Sequence, residues 1–316
     1  MTHVLILAGG LSHERDVSLR SGRRVADVLA KVDVEAHVAD ADGSLLERLA
    51  QTEPDVVWPV LHGASGEDGA IRDVLGSLGF RYVGSTPESC RLTWDKPVAK
   101  TLVQRAGVRT PRGVALPHDT FRELGAGAVL DAISSSLTLP LVVKPARGGS
   151  ALGLSVVHNA AQLPAAMVDA YAYGDIALLE SFVEGTEVAV TVLEGEEGAP
   201  VALPAVEIVP DGGVYTYAAR YTAGETEFFT PARLADEVSR AVAHAAITAY
   251  RALGHRHLSR IDLIVDPAGV PWFLEGNVAP GMTETSLVPM AVAASGREAG
   301  AVYHQLLTRA LVDSER

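Results

Sequence analysis

Cysteine is almost absent from this sequence, because Cys90 is the only one among 316 residues. A single cysteine cannot form a disulfide within the chain, nor can it complete a zinc site built on several cysteines. No stretch reaches the roughly 18 consecutive apolar residues of a membrane-spanning helix. The first apolar run, which begins at Val4, has the length of a strand and follows no lysine or arginine, unlike a secretory signal. We therefore predict a cytoplasmic protein without a membrane partner.

Positive charge is scarce as well. The chain carries 26 lysine and arginine residues against 39 aspartate and glutamate residues, which gives a formal net charge of −13. No cluster of basic residues forms a stripe along which a phosphate backbone could be neutralised, so we predict no nucleic-acid partner. The negative net charge does not exclude a small anionic ligand, because the groups inside a pocket decide what binds there.

Lysine in particular is rare, since only four of the 26 basic residues are lysines, at positions 31, 96, 100 and 144. An exposed surface charge tolerates the exchange of lysine for arginine, whereas a site that needs a compact ammonium group does not. Lys96 and Lys144 are therefore candidate functional residues on composition alone. Drift of the genomic base composition is the alternative explanation.

Short apolar segments alternate with amphipathic ones in the first third of the chain. Residues 3–8 fit a buried strand, residues 15–31 fit a helix, and further strands fit near 34–39 and 55–61. Strands that alternate with helices predict a parallel sheet, and the carboxyl ends of its strands form a ligand crevice. This α/β domain is predicted to span residues 1–95, because a new helix begins at Lys96-Pro97.

The rest of the chain has a mixed α+β pattern. The predicted strands lie at 139–144, 154–158, 176–182, 187–194, 201–208, 260–266 and 271–276, and the predicted helices at 160–173 and 232–253. We predict a central domain of residues 96–182 and a C-terminal domain of residues 183–316.

A glycine-rich loop follows a strand that ends in Lys144. The segment 142–155 (VVKPARGGSALGLS) can bend over phosphate groups and present backbone N–H groups to them. It differs from a Walker loop, because its lysine precedes the glycines and the loop returns into a strand. An ordinary glycine-rich hairpin is the alternative interpretation.

Carboxylates recur in two later segments. Glu180 and Glu187, seven residues apart around a strand end, could accept hydrogen bonds from an adenine amino group and ribose hydroxyls; a solvated acidic turn is the alternative. Asp262, Glu275 and Asn277 lie on two predicted strands, and antiparallel pairing would bring their oxygens together. Such oxygen ligands are those that Mg²⁺ selects, whereas charged residues on an exposed strand face are the alternative.

A turn rich in hydroxyl groups comes directly afterwards, at residues 280–287 (PGMTETSL). Its hydroxyl and backbone N–H groups are suited to bind a carboxylate. A helix N-cap is the competing explanation, and Ser286 or Thr283 could serve both purposes.

The order and spacing of these motifs resemble the D-alanine–D-alanine ligase family over essentially the whole chain. The matching segments are Leu7–Gly22, Leu61–Ile71, Tyr82–Lys100, Val142–Ser155, Glu180–Glu187, Tyr215–Pro231, Arg260–Asp262 and Glu275–Pro289. The resemblance implies an α/β and α+β chain with the ATP-grasp fold, preceded by an N-terminal Rossmann-like (pre-ATP-grasp) domain. It further implies an ATP-dependent carboxylate–amine ligase of peptidoglycan precursor synthesis, a homodimer, that uses ATP and two Mg²⁺ ions, for which Mn²⁺ can substitute.

The resemblance also implies a role for each matched residue at the nucleotide. Lys96 and Lys144 would contact the ATP phosphates. Glu180 and the backbone of Val183 would hold adenine, and Glu187 would hold the ribose. The metal site would consist of Asp262, Glu275 and Asn277.

Further roles concern the amino-acid substrates. Glu14 would bind the ammonium group of the first amino acid, with His62 beside that substrate. Arg260 and the Gly281 N–H group would stabilise the oxyanion. The carboxylate of the second amino acid would be held by Arg220, Ser286 and Leu287. A hydrogen-bonded trio that closes a loop over the site would consist of Glu14, Ser150 and Tyr221.

Several residues depart from what is usual in that family. Arg220 stands where lysine is common, Thr93-Trp94 and Val278 replace the usual residues, and Gly148-Gly149 loosens the phosphate loop. Because these changes bear on which amino acids are joined, an ATP-grasp amino-acid or dipeptide ligase of secondary metabolism is a second hypothesis. A catalytically silent nucleotide-binding protein is a third, and Arg260 argues against it, because a mere binder needs no oxyanion donor.

We expect Lys144→Arg to lower kcat/KM for ATP by at least about tenfold, because a planar guanidinium does not replace a compact ammonium in a tight phosphate loop. Lys31→Arg is the matched control. Steady-state kinetics of both purified variants measure the effect. Near-wild-type values in both would show that the scarcity of lysine is compositional drift.

Overall fold

The computed structural model describes residues 2–195, 197–216, 219–220, 222 and 224–313. Three sheets are arranged in chain order, and the functional residues predicted above lie where the three meet. Within the described residues, no helix is both long and apolar enough to cross a membrane. The division into three domains stays a prediction.

The first sheet has three parallel strands in the order β2-β1-β3. Its strands are β1 (His3–Ala8), β2 (Glu35–Asp40) and β3 (Val56–Pro59), and its helices are α1 (Arg15–Leu29), α2 (Leu45–Thr52), α3 (Ala64–Glu67), α4 (Ala70–Ser77) and α5 (Pro87–Trp94). The predicted parallel pairing is therefore confirmed. The strand predicted at 55–61 is shorter than expected, since β3 ends at Pro59, although the Val60 N–H still donates to the Leu7 carbonyl at 2.8 Å.

The second sheet is antiparallel, in the order β4-β7-β5-β6. Its elements are α6 (Lys96–Arg105), β4 (Gly113–Pro117), α7 (His118–Leu124), α8 (Ala126–Ser136), β5 (Leu141–Pro145), β6 (Ser155–Val157), α9 (Leu163–Tyr171) and β7 (Ile176–Ser181). We made no prediction for the segment that forms β4, α7 and α8. These elements are mostly exposed, so their sequence carries little of the apolar periodicity that marks buried elements.

The third sheet has six strands, in the order β11-β10-β8-β12-β13 with β9 paired to β8. Its elements are β8 (Thr186–Glu194), β9 (Pro200–Ala202), β10 (Val206–Pro210), β11 (Thr226–Phe229), α10 (Asp236–Ala252), β12 (Leu258–Val265), β13 (Pro271–Asn277), α11 (Leu287–Ala294) and α12 (Ala299–Val312). The single strand predicted at 201–208 is wrong. The chain turns within it, because the Leu203 N–H donates to the Thr191 carbonyl and the Ala205 carbonyl accepts from Ala232.

One apolar core joins the first sheet to the end of the chain. Val4 and Ile6 of β1 belong to the same buried cluster as Leu306 and Leu307 of α12. Trp58 packs edge-on against Tyr303, with ring centroids 5.4 Å apart. This packing fixes the carboxyl ends of the first sheet against β12 and β13, so loops from both parts of the chain face one crevice.

Two buried histidines lie at this junction. The Gly84 N–H donates to Nδ1 of His257 at 3.0 Å, so the other ring nitrogen carries the proton and faces Asp313 at 3.4 Å. Nε2 of His255 lies 2.8 Å from the Thr93 hydroxyl. Burial lowers the pKa of His255 to about 3 and holds the pKa of His257 well below its usual range. Both side chains are therefore neutral in the folded protein near pH 7.

We expect the contribution of these two histidines to the free energy of unfolding to fall as the pH drops below about 6.5, because only the unfolded chain then protonates them. Between pH 7.5 and 5.5, His255 alone should contribute a loss of about 1.4 kcal/mol. In urea unfolding at both pH values, His255→Gln should lack this contribution, so its free energy of unfolding should change less unfavourably than that of the wild type. The exposed His304→Gln is the control, and equal losses in all three proteins would contradict the assignment.

Candidate active site

Two cavities meet in the crevice between the three sheets. A cavity of about 590 Å³ is lined by residues from the first and third sheets, and one of about 380 Å³ lies between the second and third. Six residues line both cavities: Lys96, Gly148, Gly149, Tyr215, Arg220 and Glu275. The two spaces are therefore neighbouring compartments with a shared wall, and one molecule in each would meet at that wall.

The antiparallel pairing predicted for the carboxylate-bearing strands is confirmed. In the register of β12 and β13, Asp262 lies opposite Glu275 and Arg260 lies opposite Asn277. The Arg260 guanidinium donates two hydrogen bonds to Asp262, at 2.7 and 2.8 Å. The Asn277 amide oxygen accepts from the Ala279 N–H at 2.9 Å, which orients the amide.

Glu275 stays ionised although it is buried. Burial by itself would raise its pKa, but the charges of Lys96 and Lys144 outweigh this and lower the pKa to about 2. The Lys96 ammonium lies 3.4 Å from the Glu275 carboxylate and also donates to the Gly148 carbonyl. Two facing carboxylates, one of them held ionised, form an oxygen donor set that fits Mg²⁺.

Glu180 is held between two ammonium groups at one end of the smaller cavity. Lys144 lies 2.5 Å from one of its carboxylate oxygens and Lys100 lies 2.9 Å from the other. Burial would raise the pKa of Glu180, yet the two lysine charges lower it. Our sequence analysis gave no role to Lys100. The available signal was that it is one of only four lysines in the chain. Val183 lines the same cavity.

Glu187 also lines the smaller cavity, on β8. Its environment differs from that of Glu180, because burial, opposed by the charge of Arg220 and assisted by those of Asp262 and Glu275, raises its pKa to about 7. Glu187 is thus poised between the protonated and ionised forms near neutral pH. In either form it has an oxygen that can accept a hydrogen bond from a hydroxyl group.

The glycine-rich loop after β5 connects the compartments. Ser150 and Ala151 both adopt the left-handed backbone conformation, with φ of 53° and 56°. The Ser150 hydroxyl donates to a Glu14 carboxylate oxygen at 2.5 Å. The predicted contact between Ser150 and Glu14 is therefore confirmed. Tyr221, the third predicted member of the trio, lies outside the described residues.

His62 and Glu67 form the inner wall of the larger cavity. His62 Nδ1 lies 3.0 Å from the Ala279 carbonyl and so carries the proton, which leaves Nε2 as an acceptor without a partner among the described residues. Burial lowers the His62 pKa, so the ring is neutral. Burial and the nearby Glu14 raise the pKa of Glu67 to about 8. Our sequence analysis missed Glu67, although it lies within the matching segment 61–71.

The hydroxyl-rich turn forms the opposite wall of the larger cavity. The Ser286 hydroxyl accepts from the Thr283 N–H at 3.0 Å and lies at the start of α11, followed by Leu287. A Cβ atom at Gly281 would lie 2.8 Å from that hydroxyl oxygen, so a larger residue there would displace the Ser286 side chain. The Arg220 guanidinium stacks on Tyr215, 4.2 Å from the ring centroid. The positive end of the α11 dipole favours a carboxylate at this wall.

Every predicted site residue that the structure describes lies in or beside these two cavities. At two positions the structure adds a pairing on which the sequence analysis made no prediction. Arg260 is paired with Asp262, and Glu180 is paired with two lysines. Neither pairing could be read from the sequence, because both depend on the packing of neighbouring strands.

Comparisons with known proteins agree with this geometry. The family model described as D-ala D-ala ligase C-terminus matches residues 102–309. A D-alanine–D-alanine ligase of Bordetella petrii is 42% identical over 291 residues, covering 92% of this chain and 86% of the relative.

Solved structures give the same result. A D-alanine–D-alanine ligase from Bacillus anthracis, 25% identical, superimposes with a TM-score of 0.84 over 100% of this chain and 99% of the other. A structure of such a ligase from Bacillus anthracis complexed with ATP gives a TM-score of 0.80 at 25% identity, over 100% of this chain and 99% of the other. The ATP-grasp fold predicted from the sequence is thereby confirmed, and the chain belongs to the D-alanine–D-alanine ligase family.

Proposed function

We propose that this chain uses ATP to join two molecules of D-alanine into D-alanyl-D-alanine through an acyl phosphate, as a step in making peptidoglycan precursors. The observation that carries the proposal is the shared wall of the two cavities. Lys96 and Glu275 line both, so phosphate groups in the smaller cavity would end beside an amino acid in the larger one. Placing two reactants in this way is itself a large part of catalysis.

The smaller cavity is assigned to the nucleotide. One end carries Glu180 and Val183 for adenine, and Glu187 follows on β8 for the ribose hydroxyls. Lys96, Lys144 and the glycine-rich loop lie toward the shared wall, where the phosphates would be. A related ligase has been crystallised with ATP, which supports this choice of nucleotide.

Two Mg²⁺ ions would be held by Asp262, Glu275 and Asn277. When bound, they would offset the negative charge of the phosphates during phosphoryl transfer. The chain contributes by keeping Glu275 ionised, since its pKa near 2 means that no proton competes for its oxygens at neutral pH. Asp262 would exchange part of its contact with Arg260 for the metal.

The first D-alanine would lie in the larger cavity with its ammonium group on Glu14. Neutral His62 presents the Nε2 lone pair nearby, which can accept a further hydrogen bond. The substrate carboxylate would then face the shared wall and attack the γ-phosphorus of ATP, forming the acyl phosphate and releasing ADP. The Ser150–Glu14 hydrogen bond links this substrate to the loop that covers the phosphates.

The second D-alanine would lie with its carboxylate on the Ser286 turn, near Arg220 and Leu287. Its amine, after losing a proton, attacks the acyl carbon, and the tetrahedral intermediate collapses as phosphate leaves. Arg260 and the Gly281 N–H group would stabilise the oxyanion of that intermediate. Arg260 is well suited because its two bonds to Asp262 fix its plane, and the burial of both groups strengthens their electrostatic effect.

The alternative of a secondary-metabolism ligase with other amino-acid substrates is not favoured, because curated relatives are named D-alanine–D-alanine ligases at high coverage of this chain. Trp94, Arg220 and Val278 all line the larger cavity, so these three departures would bear on substrate choice. We further propose a cytoplasmic homodimer with the three-domain division predicted above.

We expect ADP release to require both Mg²⁺ and D-alanine, because the γ-phosphate has no acceptor in line until a carboxylate occupies the larger cavity. A coupled ADP assay over a panel of D- and L-amino acids, with mass detection of the dipeptide, tests this. Rapid ATP hydrolysis without an amino acid, or a clear preference for another amino acid, would overturn the proposal.

Removing either metal-binding carboxylate should lower kcat by more than about a hundredfold, because several kcal/mol of charge stabilisation is lost. The variants are Asp262→Asn and Glu275→Gln, and the exposed Asp131→Asn is the control. Circular dichroism should show an unchanged fold in all three. Wild-type turnover in both site variants would refute the metal assignment.

A further inference from the structure

Lys100 is a buried charge that the proposed mechanism does not use. It lies on α6 with 7% of its surface exposed, and it lines neither the nucleotide cavity nor the amino-acid cavity. Its ammonium group lies 2.9 Å from Oε2 of Glu180 and 3.4 Å from the Phe273 carbonyl. Burial of an ammonium group is unfavourable unless the group is paired with another buried charge. The buried charge beside Lys100 is Glu180.

Glu180 differs from Lys100 in that it does reach the nucleotide cavity. The Lys100 ammonium group pairs with Oε2 and the Lys144 ammonium group pairs with Oε1, so the carboxylate is held between two cations. The side chain is only 2% exposed. Each carboxylate oxygen has two lone pairs, so a carboxylate that lines a cavity and is paired in this way can still accept a hydrogen bond from a ligand.

The two lysines around Glu180 are not equivalent. Lys144 borders the cavity and, in the proposed function, its ammonium group is shared with the phosphates of the nucleotide. Lys100, in contrast, lines neither cavity. When phosphate groups share the ammonium group of Lys144, Lys100 is the cation that still pairs with Glu180 alone.

We propose that Lys100 is a positioning residue that keeps Glu180 an acceptor-only carboxylate, and that the pair thereby makes the nucleotide site select a purine with an amino group at position 6. The inference rests on the proposed nucleotide function of this cavity. An ionised carboxylate has no proton to donate, so it attracts the amino group of adenine and repels the carbonyl oxygen of a 6-oxopurine. A protonated or amide side chain can donate and would lose that discrimination.

The comparison of ATP with inosine triphosphate isolates this position, because hypoxanthine differs from adenine only by an oxygen at position 6 and a proton on N1. The quantity to measure is the ratio of kcat/KM for ATP to kcat/KM for inosine triphosphate, with D-alanine saturating. In Lys100→Met, which keeps the length of the side chain without its charge, we expect the ratio to fall by at least about tenfold. Direct titration of both nucleotides should show the same change in relative affinity.

Lys31→Met is the matched control, since Lys31 is exposed and far from the site in sequence. Glu180→Gln should also lower the ratio, because its amide can donate to an oxygen. If Lys100 acts through Glu180, adding Lys100→Met to Glu180→Gln should change the ratio no further. Should Lys100→Met fail to fold, Glu180→Gln measured alone still decides whether the acceptor-only carboxylate sets the preference.

The outcomes separate this inference from the proposed function. A wild-type protein that releases no ADP with ATP, Mg²⁺ and D-alanine would overturn the proposed function. A wild-type protein that is active, whose Lys100→Met variant loses activity equally with both nucleotides, would show that Lys100 only supports the fold. An unchanged ratio in Glu180→Gln would likewise overturn the selection of the 6-amino group.

Discussion

The balance of buried charge where the three sheets meet is the constraint on which the site depends. Glu180, Glu187, Asp262 and Glu275 lie close together in surroundings from which water is largely removed. Unpaired carboxylates there would take up protons, as the raised pKa of Glu187 shows. Three of the four lysines of the chain and one arginine pair with the others, and the lysine charges keep Glu180 and Glu275 ionised. Because the rest of the chain contains only one further lysine, Lys31, the concentration of lysines is specific to this site.

The same charges connect separate parts of the chain. Lys96 at the start of α6 reaches the glycine-rich loop and Glu275 on β13, so it links the second sheet to the third. Ser150 in that loop reaches Glu14 beside the first sheet. The loop proposed to cover the phosphates is thus hydrogen-bonded to the residue proposed to bind the first amino acid. This linkage would let the loop respond to both ligands.

The apolar packing provides the rigid frame for these polar contacts. Trp58, Tyr303 and the buried ends of β1 and α12 fix the first sheet against the C-terminal part of the chain. His257 adds a polar link between Gly84 and Asp313 at the same junction. Rigid support of this kind places His62 and the Ser286 turn on opposite walls of one cavity, although more than 200 residues separate them in sequence.

The sequence by itself determined the buried strands, the glycine-rich loop and the identity of most site residues, because these depend on local periodicity and on motif spacing. It also indicated that Asp262 and Glu275 could converge, since period-two alternation and an antiparallel pairing place both on one face, but the register that sets them opposite each other came from the structure. Only the tertiary structure decided which charges neutralise one another. Lys100 and Glu180 are 80 positions apart, and Glu67 enters the cavity through a turn of one short helix. Such pairings arise when sheets pack together, and neither hydrophobic periodicity nor residue type specifies them in advance.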